Sequence, residues 1–181
     1  MIFKEIVKKL QKMTFKEIVG ENCGSVPWDV QKLLIYLKSV RERSDFHPEE
    51  SAYAHTEIVT DRLIQTGKPD LIVSGIFHDL FKAWGNINPK NGYHTSPDHD
   101  KLAANFIRAA VKYNDYNGVV AFIEGMCANV ERVAAICENH MKIKRIGEMR
   151  PFKQKKMREL DVYEDLLIFA RADNMLVEFI V

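Results

Sequence analysis

The sequence predicts an all-α fold. Apolar residues recur at intervals of three, four and seven along most of the chain, the spacing that gathers one face of a helix. No run rich in Val, Ile and Thr alternates at period two over a useful length, so no sheet is expected. Proline, glycine and asparagine divide the rest into pieces of helical size.

Taken in order, Ile2 to Val19 is an amphipathic segment containing Phe-Lys-Glu-Ile-Val at Phe3 and again at Phe15, an echo too short for a structural repeat. Gly20 to Gly24 breaks it, and Ser25 with Pro27 reads as a cap and first turn for a helix reaching about Arg43. Asp45-Phe46-His47-Pro48 interrupts again, and a helix follows from about Glu49 to Gln65. Gly67 ends it and Pro69 opens the next, which runs to about Trp84. Gly85 to Thr95 is long for a connection within a helical domain and is a candidate functional loop. Ser96-Pro97-Asp98 is a helix start for a segment to about Tyr113, and Asn114 to Gly118 is a further break. Shorter helices are expected over Val119–Glu124 and Asn129–His140, and a final one from about Asp161 to Phe179. A basic segment, Lys142 to Arg158, lies between them.

At 181 residues, with no loose internal linker, the chain is expected to form one domain. Lys and Arg total 26 against 25 Asp and Glu, a net charge of +1 that excludes a strongly basic nucleic-acid coat but permits a local basic patch. Tight binding of duplex DNA is therefore not expected. No apolar run approaches the roughly 18 residues of a membrane span, and the first ten residues mix charges into their apolar positions unlike a secretory signal. Cys23, Cys127 and Cys137 form no CxxC pair and cannot all pair with one another. A reduced, cytoplasmic protein without a membrane partner is the expectation.

The informative residues are polar side chains on apolar stripes. His55 shares a helical face with Ala52, Ile58 and Val59; His99 with Leu102, Ala103 and Phe106; His140 with Val133, Ile136 and Cys137. Asp173 falls among Leu166, Phe169, Ala170, Leu176 and Val177, and Asp79 follows Ile72, Gly75 and Ile76 with His78 beside it. A lone inward histidine reads as a hydrogen-bonded core residue, and Asp173 alone reads equally as half of a buried ion pair with an arginine. Four histidines and two aspartates on five helices can instead converge, and mixed imidazole and carboxylate donors suit a divalent transition metal. His47 and His94 lie in loops without this signature.

The order His55, His78-Asp79, Asp173 resembles the HD superfamily of helical metal-dependent phosphohydrolases. Phe46-His-Pro-Glu-Glu with Ala54-His-Thr, then Phe77-His-Asp-Leu-Phe-Lys, His99-Asp100 with Ala103-Ala104, and Ile136-Cys-Glu-Asn-His140 are similar to the HD domain of bacterial CCA-adding tRNA nucleotidyltransferases. The likeness spans about 46–174, with residues 1–45 expected to pack on that core. Phe81 stands where the family has glycine, and with no Gly-Ser and paired acids on a strand upstream of the motifs, CCA addition is not expected.

The resemblance implies an HD-type helical bundle in which His55, His78, Asp79 and Asp173 hold one ion, while His99 and His140 match the extra ligands of two-metal members, whose HD aspartate bridges the ions. It implies one or two divalent ions (Mn, Ni, Fe, Co, Zn or Mg) and hydrolysis of a nucleotide or RNA-end phosphoester, a phosphomonoester or 2′,3′-cyclic phosphate, by metal-activated water. Asp79 and Lys82 stand nearest this chemistry, Lys82 as a phosphate contact or else a solvated lysine. Lys142, Lys144 and Arg145 are candidate phosphate contacts or a solvated basic face. Tyr93 and Trp84 flank the long loop as candidate base-stacking rings, and ordinary packing is the alternative for Trp84. His94 is a candidate proton donor or a support for the ligands, or is simply solvated. The alternative function is a non-catalytic nucleotide- or RNA-binding HD module with a structural metal.

Overall fold

The computed structural model describes residues 2–20, 24–43, 45, 48–115 and 117–175. Cys23, Phe46, His47 and the stretch from Leu176 to Phe179, all part of the expectations above, lie outside the described residues. Among the described residues the chain forms ten α-helices and one short hairpin.

The first amphipathic segment is two helices, α1 (Ile2–Leu10) and α2 (Phe15–Val19). Thr14 starts the second: its hydroxyl accepts the Glu17 N–H, and the Glu17 carboxylate accepts the Thr14 N–H at 2.7 Å. Helix α3 (Trp28–Leu37) begins on Pro27 without a side-chain cap, so Ser25 does not play that role. It ends before Arg43 because Arg41 turns into extended backbone and bridges Ser51. Ser51 then caps α4 (Ala52–Ile64), its hydroxyl accepting the Ala54 N–H at 3.2 Å.

Helix α5 (Pro69–Phe77) is apolar on nearly every side and lies inside the molecule, with all residues from Leu71 to Phe77 buried. It does not continue to Trp84. The backbone leaves helical geometry at Asp79 (φ −108°, ψ 3°) and resumes as a 3-10 turn over Leu80–Trp84. The long loop contains an antiparallel pair, β1 (Asn86–Ile87) and β2 (His94–Thr95), too short for any periodicity to reveal. Helix α6 starts late, at His99, and runs to Lys112. Asp98 is left-handed at φ 61°, and the Ser96 hydroxyl donates to the Lys82 carbonyl at 3.1 Å instead of capping.

Helix α7 spans Val119–Gly125, and α8 (Val130–Ile143) is capped by Asn129, whose side chain accepts the Arg132 N–H at 3.0 Å, and extends beyond His140. The basic segment folds into a 3-10 turn (Ile146–Glu148) and a helix of its own, α9 (Pro151–Arg158), before α10 (Tyr163–Ala172). Helix α5 is sandwiched by α4 and α8, with α6 and α10 also against α8. Gly75 permits the closest approach: a Cβ there would lie 2.9 Å from Thr60 Oγ1 and 3.2 Å from Thr60 Cα on α4. No helix among the described residues is long and apolar enough to cross a membrane.

Candidate metal centre

The architecture brings His55, His78, Asp79, His99, His140 and Asp173 together, all buried. His55 comes from α4, His78 and Asp79 from the break that ends α5, and His99 from the first turn of α6. His140 comes from the last turn of α8, and Asp173 from the residue that ends α10. They form two groups, His55–His78–Asp173 and Asp79–His99–His140, each with ligand atoms within 4.8 Å of one another. Asp79 links the two. Its Oδ2 lies 3.1 Å from His78 Nε2 and 3.7 Å from His55 Nε2, while its Oδ1 lies 3.1 Å from His99 Nε2 and 3.8 Å from His140 Nε2.

Three imidazoles are held in one way. His78 Nδ1 is 2.8 Å from the Gly75 carbonyl, His99 Nδ1 is 2.7 Å from that of Ser96, and His140 Nδ1 is 2.7 Å from that of Cys137. A carbonyl can only accept, so Nδ1 carries the proton and a neutral ring presents a lone pair at Nε2. All three Nε2 atoms are buried without a hydrogen-bond partner. Lys82 brings an ammonium to Asp79 Oδ2, but nothing donates to the three Nε2 atoms, and buried acceptors left so are costly unless a cation is shared. Orientation of a ligating histidine by a backbone carbonyl is likewise the usual support of a metal site. This donor set therefore fits a divalent ion.

The charges agree with that geometry. Burial, reinforced by neighbouring His78, lowers the His140 pKa to about 3 and keeps its ring neutral. Burial would raise Asp79, but His78 and Lys82 hold it well below the usual carboxylate range. Burial is likewise overridden at Asp173, by Lys144 and His55. Burial would lower the His99 pKa too, but Asp79 raises it, and His55 stands between two carboxylates. Burial would lower its pKa, but carboxylates at both nitrogens raise it to about 9: Asp173 Oδ1 at 2.9 Å from Nε2 and Glu49 Oε1 at 2.6 Å from Nδ1. The Phe169 ring packs beside the centre, with its centroid 5.3 Å from that of His78 and 5.9 Å from that of His140.

The remaining candidates are placed differently from one another. Lys82 is not a solvated lysine: its ammonium sits 2.8 Å from Asp79 Oδ2 and 2.7 Å from Glu42 Oε1. Lys144 places its ammonium 2.6 Å from Asp173 Oδ2, so the aspartate's ion-pair partner is a lysine rather than an arginine, and this lysine leaves the expected phosphate-binding face. Lys142 bonds Asn139 at 3.0 Å, and Arg145 is exposed. Tyr93 lines a cavity of about 230 Å³ together with Arg41, Glu42 and Glu50, at the edge of the centre through Glu42. His94 stands outside both ligand groups; its Nδ1 accepts the Arg41 N–H at 3.1 Å and ties the hairpin to the chain ahead of α4. Trp84 is 67% exposed and meets the edge of Phe81, whose ring also packs on Phe106. Trp84 therefore projects from the aromatic cluster rather than being buried in it.

Two acids escaped the sequence criteria. Glu49 and Glu42 form a third group with His55. Both precede α4, where helical periodicity has no purchase, although Glu49 stands within the Pro48-Glu-Glu stretch. The chain matches no protein-family model, no curated protein and no solved structure.

Proposed function

We propose that the protein is an HD-type, metal-dependent phosphohydrolase acting on a nucleotide or nucleic-acid-end phosphoester, with a phosphomonoester or 2′,3′-cyclic phosphate favoured. The observation that carries this is the set of three buried histidine Nε2 lone pairs, their tautomers set by backbone carbonyls, arranged about both oxygens of Asp79. His55, His78, Asp79 and Asp173 would hold one ion, and His99 and His140 a second shared through Asp79. Nitrogen-rich donors favour Mn, Fe, Co, Ni or Zn over Mg. When bound, a divalent ion supplies Lewis acidity toward phosphoryl oxygens and a water-derived nucleophile near neutral pH.

The chain's own residues supply orientation and charge. The carbonyls of Gly75, Ser96 and Cys137 fix three imidazoles, and Glu49 fixes the fourth. Burial would deprotonate Lys82, but Asp79 and Glu42 raise its pKa and keep it an ammonium beside the centre. There it can offset negative charge on a phosphoryl group, with Glu42 holding it in place. A reduced cytoplasmic setting fits the free thiols of Cys127 and Cys137.

Phe81 favours the second reading, a non-catalytic nucleotide- or RNA-binding module with a structural metal: it stands where the resembled family has glycine, and its buried ring packs on Trp84 and Phe106. Metal analysis joined to a hydrolysis screen separates the two. Hydrolysis by the metal-loaded protein, abolished by Asp79→Ala with the helical signal retained, is the expected result. Bound metal with no cleavage of any phosphomonoester, cyclic phosphate or triphosphate would establish the binding module, and absence of metal affinity would remove both.

A further inference from the structure

From Lys142 to Arg158 the chain holds eight basic residues and one acid, a local charge of +7 in a chain of net +1, so the remainder carries −6. Helix α9 buries only Met157 and presents Lys153, Lys155, Lys156 and Arg158 to solvent. Such an element adds little to the core, so its composition is free to serve the surface. Phe152 on the same helix is 66% exposed, with the Lys156 ammonium 4.7 Å from its ring centroid. The end of α8, the 3-10 turn and the start of α9 enclose a groove of about 640 Å³ lined by Lys142, Arg145, Arg150 and Lys153, with two methionines and Glu148 as its one acid.

Elsewhere two arginines are each matched with a pair of acids, Arg108 with Glu131 and Glu138 and Arg132 with Asp70 and Asp165. In the groove, Arg145, Arg150 and Lys153 make no ion pair with any described residue, and Lys142 makes only a long one, 3.7 Å from Glu138. Lys142 of the groove lies two residues beyond His140 on α8, so one helix carries both the groove and a side chain of the centre. We propose that this groove binds the phosphodiester backbone of a single-stranded nucleic acid and thereby presents a strand end, rather than a free nucleotide, to the centre; the second half of that statement rests on the phosphohydrolase function proposed above. Unpaired cations in a concave surface suit regularly spaced phosphates. The exposed Phe152 ring can stack on a base only where that base is not already paired, which selects a single strand. An anionic membrane is the poorer fit, because the only exposed apolar residues of α9 are Pro151 and Phe152, too few for an inserting face.

The test is fluorescence anisotropy with a labelled oligouridylate of about 12 nucleotides, in chelator, on the full chain and on Asp79→Ala. Four phosphate contacts predict a log–log salt slope of about −3, an affinity loss of about 50-fold between 50 and 200 mM salt. Arg150→Ala with Lys153→Ala should halve that slope to about −1.4 and weaken low-salt binding at least about tenfold, with an unchanged melting temperature. Phe152→Ala should weaken binding several-fold and leave the slope alone. Strand binding that persists in Asp79→Ala establishes the groove even if no hydrolysis is ever found. Mononucleotide hydrolysis without strand binding overturns the groove and leaves the phosphohydrolase standing. A flat salt response, equal affinity in the double variant, or capture by phosphatidylserine vesicles that the oligonucleotide does not compete also overturns it.

Discussion

Truncating His140 to alanine separates ligation from packing. The imidazole is 1% exposed, spans the Cys137 carbonyl and the Asp79–His99 side of the centre, and stacks edgewise on His78. In chelated protein the truncation removes a buried ring, a loss of about 2–4 kcal/mol by comparison with other large-to-small core changes. It also removes an acceptor, Nε2, that is buried without a donor, and relieving such a group recovers about 1–3 kcal/mol. The two effects nearly offset. A net loss of about 1 kcal/mol, or about 2–4 °C in a chain of this size, is expected without metal. With metal the balance changes. Two sites, each at about 100 times its Kd, stabilise the wild type by about 5 kcal/mol, a rise of about 10–20 °C. His140→Ala strips a donor from the Asp79–His99–His140 group and spares His55–His78–Asp173, so it should keep about half that rise and bind one ion instead of two. Thermal melts of both proteins with and without chelator, together with counted metal, measure all of this. An undiminished metal-dependent rise, with a chelated melting temperature lowered by about 10 °C or more, would make His140 a core histidine and refute its role as a ligand.

Glu49→Gln keeps the shape beside His55 but loses the carboxylate, and should weaken metal binding about 10- to 100-fold by calorimetry; unchanged affinity would show that Glu49 does not orient the ring. The His55 pKa is raised from 6.5 to about 9 in metal-free protein, so the stability it contributes is complete below pH 6.5 and lost as pH rises through about 9. Chelated wild type should therefore lose up to roughly 3 kcal/mol across that window, seen as a falling melting temperature that His55→Gln flattens; a flat or rising wild-type profile contradicts the assignment. Gly75→Ala drives a Cβ to 2.9 Å from Thr60 Oγ1 and should cost about 1–3 kcal/mol in denaturant unfolding; a neutral result would mean that α4 and α5 separate freely.

The helical class and the inward histidines were legible because helical periodicity is a local property. His55, His99 and His140 each have apolar neighbours three or four residues away, and that spacing survives whatever the helices pack against. The same locality explains the errors at the ends of elements. Ser96 has the right type and spacing for a cap, yet its hydroxyl is taken by Lys82 from across the long loop. The basic segment hid α9, since a helix polar on nearly all sides has no apolar stripe to detect.

What the amino-acid sequence determined by itself is therefore the supply of donors and the faces on which they stand. Tertiary structure alone decided their partners: Asp173 meets His55 from 118 residues away, Lys82 reaches back 40 residues to Glu42, and Lys144 rather than an arginine neutralises Asp173. Charges attract over distances set by folding and not by sequence separation. No local pattern therefore encodes which carboxylate an ammonium will find, nor that both oxygens of Asp79 will face imidazoles brought in by different helices.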